Sequence, residues 1–197
     1  CTLTTIDSAN NVGRALDAIR HGQLFFIAYG DETAGALKIK RCLAVSFCVS
    51  DAGVTVDPAG APTEVALVGP SGGYPTILYV RGGDLRSAKC TSATCGVVAL
   101  GPVVYSGASY VAATVALDGL PFVAMLDAER SGMTFLKCFD YGCTGARVGG
   151  TFGTTTLDAR PGATLGAHGH PVVSLRSNSS FGLEVCDNPE CGPGRNR

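Results

Sequence analysis

Apolar residues fall along this chain in short alternating runs rather than in long helical stripes. Leu37 is followed by Ile39, Met133 by Phe135 and Phe181 by Leu183, each pair separated by one residue. Such alternation marks a strand with one buried face; only Ser87, after Leu85, breaks it. Denser apolar runs precede these, each entered through Gly-x-Pro: Gly73-Tyr74-Pro75, Gly119-Leu120-Pro121 and Gly169-His170-Pro171. Proline suits the first residue of a strand, whose amide need not join the ladder. In the first copy, Gly22-Gln23-Leu24, leucine takes the proline's place. The pattern predicts strands near Thr2–Asp7, Ala15–Arg20, Leu24–Tyr29 and Ala36–Arg41. A second set is expected near Val54–Asp57, Thr63–Val68, Thr76–Val80 and Leu85–Lys89. Turn residues at Asn10-Asn11, at His21-Gly22 and from Asp31 through Gly35 separate them.

Cysteine supplies the ruler. Cys1, Cys48, Cys95, Cys143 and Cys191 stand 47, 47, 48 and 48 residues apart, and Cys42, Cys90, Cys138 and Cys186 are spaced by 48 throughout. One supersecondary unit is therefore repeated four times, over 1–48, 49–95, 96–143 and 144–191, with a Gly/Pro tail at 192–197. A four-stranded antiparallel meander of this length has the size of a propeller blade. The expected fold is all-β, four tandem four-stranded repeats arranged as a β-propeller or as a segment of a larger array. The 27 glycines and 10 prolines agree, because they interrupt almost every window long enough for a helix.

The repeated Gly-x-Pro, apolar run with Tyr, Leu and Cys-x4-Cys resembles tandem repeats of large secreted microbial proteins. The Thr4-Thr5-Ile6-Asp7 opening with Val12-Gly13 is similar to the start of those repeats. The resemblance spans essentially the whole chain. It implies a β-propeller-like fold and an extracellular or cell-surface location, and it brings no characterised catalytic activity. Nine cysteines agree with an oxidising compartment. The absence of an opening leader reads as a mature or excised segment.

The short spacing within each pair favours local bridges, Cys42–Cys48, Cys90–Cys95, Cys138–Cys143 and Cys186–Cys191. Each would contribute roughly 2–3 kcal/mol on the loop-entropy view. Pairing each second cysteine with the next repeat's first, as in Cys48 with Cys90, stays open at this level. Zinc prefers Cys-x2-Cys knuckles and four converging ligands, so no metal is expected. Local pairing leaves Cys1 over, unpaired or bonded to another chain.

Fifteen basic against sixteen acidic residues provide no field for nucleic acid, and no apolar run is long enough to insert in a membrane. No cofactor motif is present: Gly149-Gly150-Thr151-Phe152-Gly153 lacks the lysine and strand-to-helix context of a phosphate loop. His168 and His170 flank a turn, as His21 does, and read as solvated. Asp31, Glu32, Asp84, Asp127 and Glu129 fall between third and fourth strands, where carboxylates on one propeller face could bind calcium or a sugar hydroxyl; solvated turn carboxylates explain them equally well, and no run resembles a calcium loop. A propeller glycosidase needs paired carboxylates, or arginines with an activated tyrosine, at its axis. Arg14, Arg20, Arg81, Asp118 and Tyr79 could be offered, but no spacing selects them. No Gly-x-Ser-x-Gly elbow occurs. Asn178-Ser179-Ser180 is an N-glycosylation acceptor.

The leading expectation from sequence is a non-enzymatic extracellular structural module, with no catalytic residues, that assembles with copies of itself into a surface fibre or sheath. A carbohydrate-binding propeller is the alternative, with glycans as partners, and a propeller glycoside hydrolase comes third. An uncharged, apolar axis would eliminate the third.

Overall fold

The computed structural model describes residues 5–8, 11–43, 48, 53–69, 73–128, 132–153, 160–177 and 180–192. The first blade contains β1 (Val12–His21), β2 (Leu24–Asp31), β3 (Ala36–Leu43) and β4 (Val54–Asp57). The second contains β5 (Glu64–Val68), β6 (Thr76–Arg81), β7 (Asp84–Cys90) and β8 (Val98–Ser106). The third has β9 (Ala108–Val115), β10 (Pro121–Asp127), β11 (Gly132–Cys138) and β12 (Ala146–Gly153). The fourth has β13 (Gly162–Leu165), β14 (Pro171–Ser177) and β15 (Ser180–Val185). Each blade is an antiparallel meander in chain order. β1, β5, β9 and β13 touch in succession, so they line the axis of a four-bladed β-propeller.

Blade and repeat are out of phase by one strand. The segment after each of the first three cysteine pairs crosses back to pair outside the strand it has just left, as β4 does on β3, β8 on β7 and β12 on β11. Of the strand expected at 2–7, residues 5–7 carry no strand, and 2–4 lie outside the described residues. So do Cys1 and the Asn178 acceptor.

The alternation read from sequence places one row of apolar side chains on each face, and facing rows of neighbouring blades make three cores. Leu37 and Ile39 of the first blade pack with Val65, Leu67, Ile77 and Tyr79 of the second. Leu78, Val80 and Leu85 meet Val111, Val123, Met125 and Leu136 of the third. Phe122, Met133 and Phe135 meet Val173 and the Cys186 and Cys191 sulfurs of the fourth.

A hydroxyl–carboxylate clasp recurs around these cores. Tyr29 donates to Asp7 at 2.8 Å, Tyr79 to Asp57 at 2.7 Å and Tyr105 to Asp127 at 2.5 Å. In the second and third cases it joins two blades: Asp57 ends β4 and Tyr79 lies on β6, whereas Tyr105 lies on β8 and Asp127 ends β10. Tyrosine and aspartate have thus exchanged places between one junction and the next. Arg81 of β6 also pairs with Asp57.

The structure bonds Cys42 to Cys48, Cys90 to Cys95, Cys138 to Cys143 and Cys186 to Cys191, with Cα atoms 4.6–5.0 Å apart. Cys95, Cys143 and Cys191 have φ of 51°, 50° and 53°, a left-handed conformation that β-carbon residues seldom adopt. Each donates its amide three residues back, to Ser92, Asp140 and Asn188, closing a tight turn. The last of these turns lies against β12, where a β-carbon on Gly149 would run into the Glu190 carbonyl. Gly149→Ala must push backbone against backbone and is expected to lower Tm by several degrees. Gly96→Ala, facing only the Thr94 hydroxyl, is the control, and thermal unfolding of both variants checks the difference.

Candidate functional site

A propeller has one place where every blade contributes a side chain at the same level, the mouth of its axis. Register identifies the residues here. Glu64 opens β5 opposite Val80, and Tyr110 of β9 stands at the corresponding position opposite Leu126. Arg160 precedes β13 by two residues and so lies on the face of Gly162; the following Pro161 favours an extended backbone there. The Arg160 guanidinium reaches Glu64 at 3.0 Å, tying the fourth blade to the second. The Glu64 side chain is buried, whereas that of Arg160 is more than half exposed and covers it from the solvent side. Burial raises the Glu64 carboxyl above its ordinary range, and the Arg160 charge opposes that rise.

A second inner-strand carboxylate lies deeper. Asp17 of β1 accepts the Leu67 amide of β5 at 2.7 Å, which satisfies a backbone donor at the free inner edge of the second blade. At the rim, Arg14 pairs with Glu32 at 3.1 Å, the arginine well exposed. Lys38, bonded to Asp31 at 2.6 Å, is the leading cause holding that carboxyl below its ordinary range.

None of the five residues offered from sequence forms a centre with the others. Tyr79 and Arg81 are spent on Asp57. Arg20 lies over the Phe25 ring and bonds the Gly22 carbonyl. Asp118 holds Lys137 at 2.6 Å in a cleft of about 260 Å³ with Arg147 and Glu190, at the other end of the strands from Glu64. Among the acidic turn residues, Asp84 is occupied by Arg86 and Ser106, and Glu129 lies outside the described residues. His168 and His170 occupy the turn before β14. Among the described residues no group of three or more His, Cys, Asp or Glu converges as a metal site. Glu64 and Arg160 were missed because they are linked only through the ring. The available signal was positional: an acidic residue opening a predicted inner strand, where its neighbours are apolar.

No family model and no curated protein matches this sequence. Solved structures do. An α-L-arabinofuranosidase from Clostridium thermocellum superposes with a TM-score of 0.57 at 11% identity, over 89% of this chain and 68% of that one. A thermostable family-43 glycoside hydrolase gives 0.53 at 11% identity, over 90% and 69%. At this identity the likeness is one of fold. It nevertheless corrects the reading as a non-enzymatic module that self-assembles into a fibre. That reading rested on the regular repeats, the unmatched Cys1, the lack of a closing device and the lack of catalytic residues; the fold is shared with glycoside hydrolases, and the axis holds Glu64, Arg160 and Asp17.

Proposed function

We propose that this chain is a glycoside-cleaving propeller whose proton donor is Glu64. The observation that carries the reading is a buried carboxyl with a raised pKa at the axial mouth of a fold shared with glycoside hydrolases. A general acid needs a pKa above the ordinary carboxyl range, and burial shifts Glu64 in that direction. Arg160 donates hydrogen bonds toward the same point and would orient a sugar hydroxyl. Tyr110 would offer a ring face to the sugar.

Cleavage also needs a second carboxylate, and Asp17 is the other one on an inner strand among the described residues. Its contact point, Leu67, lies three residues along β5 from Glu64, about 10 Å of strand. Retaining enzymes hold their carboxyls about 5–5.5 Å apart and inverting enzymes farther, to admit a water; the offset in level between Glu64 and the Asp17 contact exceeds the retaining spacing, so the inverting class is the one proposed. The four disulfides are compatible with extracellular work, which we take as the site of action.

The test is turnover of aryl and oligosaccharide glycosides, α-L-arabinofuranosides and xylosides included, with wild-type protein. Release of product with inverted anomeric configuration is expected. Glycan binding on an array without turnover would move the assignment to a lectin, a reading favoured by the Leu67 amide already engaging Asp17. Absence of both turnover and glycan binding would overturn the proposal.

A further inference from the structure

We infer that the flank between the fourth and first blades is the seat of one further blade of this same repeat. The positions five and three residues before the first cysteine of each pair carry the argument. In the first three blades they are Leu37 and Ile39, Leu85 and Ser87, and Met133 and Phe135, all at most 1% exposed. In the fourth they are Phe181 and Leu183, which are 71% and 61% exposed, and Val185 beside them is 68% exposed. Two things differ among the described residues: β15 has no outer strand beside it, and no sheet packs on this face.

The first blade shows the complementary deficit. Val65 and Val111, each 6% exposed, are the inner-strand residues opposite Tyr79 and Met125, and they pack on the preceding blade. Leu16, opposite Tyr29 in the same register, is 56% exposed, and Phe25 on the same face is 37% exposed. Residues 6 and 7 cover the Tyr29 and Lys40 part of the first-blade face, through the Tyr29–Asp7 bond and a Lys40 bond to the Ile6 carbonyl, and leave Leu16 and Phe25 open. Two faces with open apolar side chains therefore remain, and each is the partner type of the other: at every occupied junction one such face meets the other. Exposed apolar surface on this scale marks an interaction site.

The geometry selects the occupant. A single added strand could pair with the edge of β15 but would not cover side chains on two separate sheet faces. A second four-bladed copy is too large, because Arg160 already reaches Glu64 across the axis and the inner strands of the four blades are wrapped closely around it. One blade, with a row of β-branched and aromatic side chains on either side, fits both faces. The residues after each of the first three cysteine pairs supply an outer strand to the blade just completed. The occupant would accordingly begin by giving β15 the outer neighbour that β3, β7 and β11 have.

The experiment extends the full 197-residue chain after Cys191 with a copy of residues 96–143. Hydrogen exchange and thermal unfolding are then measured with and without the extension. The extension is expected to slow amide exchange in β15 and β1 by about tenfold or more, and to raise Tm on the order of 5–10 °C. Phe181→Ser and Leu16→Ser should abolish both gains in the extended chain. In the unextended chain the same substitutions should leave Tm nearly unchanged, while Val65→Ser lowers it sharply. Unchanged exchange and Tm on extension would overturn the inference. So would a Tm loss for Phe181→Ser in the unextended chain matching that of Val65→Ser, since the face would then be packed already. An unextended chain that is dimeric at micromolar concentration, with β15 and β1 protected, would assign the flank to a second copy instead.

Discussion

Glu64→Gln is expected to lower kcat/KM for a glycoside with a poor leaving group by about 10²–10⁴-fold, the usual worth of general-acid catalysis. The amide keeps the size of the side chain and can still accept from Arg160, so the mouth should retain its shape; what disappears is the transferable proton. The loss should therefore depend on the leaving group. An alkoxide of high pKa needs protonation as the glycosidic bond breaks, whereas a dinitrophenolate departs unaided, and for it the variant should approach wild-type activity. That split separates proton donation from positioning. An equal loss for both leaving groups would make Glu64 an orienting residue, and no loss for either would remove it from the mechanism. Arg160→Met gives the complementary result. Without the opposing charge, burial alone sets the Glu64 pKa, and the basic limb of the pH–rate profile should move to higher pH.

The blade junction built on Asp57 should be the costliest polar site to disturb. Its carboxylate is buried, accepts from the Tyr79 hydroxyl and pairs with Arg81. Asp57→Ala leaves a buried hydroxyl and a partly buried guanidinium without their acceptor, a change worth about 3–5 kcal/mol. Urea unfolding of Asp57→Ala, Tyr79→Phe and the double variant should show strong non-additivity, because the two single changes remove the same bond. The clasps also predict an alkaline limit. Burial, with the hydrogen bonds to Asp7 and Asp57 adding to it, raises the pKa of both Tyr29 and Tyr79 above the ordinary 10.0. A raised folded-state pKa means that the unfolded chain releases these protons first. Their contribution is complete below pH 10, the ordinary value, and is lost as pH rises above it. Stability measured from pH 9 upward should fall more steeply in wild type than in Tyr29→Phe/Tyr79→Phe. Parallel curves would show that the clasps do not titrate with unfolding.

The fold was legible because its signals are local. Alternation within each repeat, a proline at the strand entrance and the interval between cysteines each concern residues at most one repeat apart, and they place β6, β7, β10, β11 and β14 closely. The phase of the blades was not legible. Nothing in Val54–Asp57 says that this segment will turn back onto β3 rather than lead the sheet that follows. The site was hidden for a related reason. Glu64 and Arg160 come from different repeats, and their meeting is a property of the curvature about the axis, which no spacing within a repeat encodes. Tyr79 and Arg81, by contrast, were offered as axial candidates and serve a blade junction, because a tyrosine two residues from an arginine on one strand looks alike in either role.

The left-handed backbone at Cys95, Cys143 and Cys191 bears on how this protein could be made. A chain expressed in a reducing compartment would keep the strained backbone at these three positions without the bond that compensates it. Asparagine and glycine adopt that conformation at little cost, and the turn's own amide-to-carbonyl bonds do not depend on sulfur. Replacing the second cysteine of each of these pairs with glycine, and the buried first with alanine or valine, should therefore yield a thiol-poor propeller suited to cytosolic production. In that form the turns would be held by backbone preference instead of covalent closure.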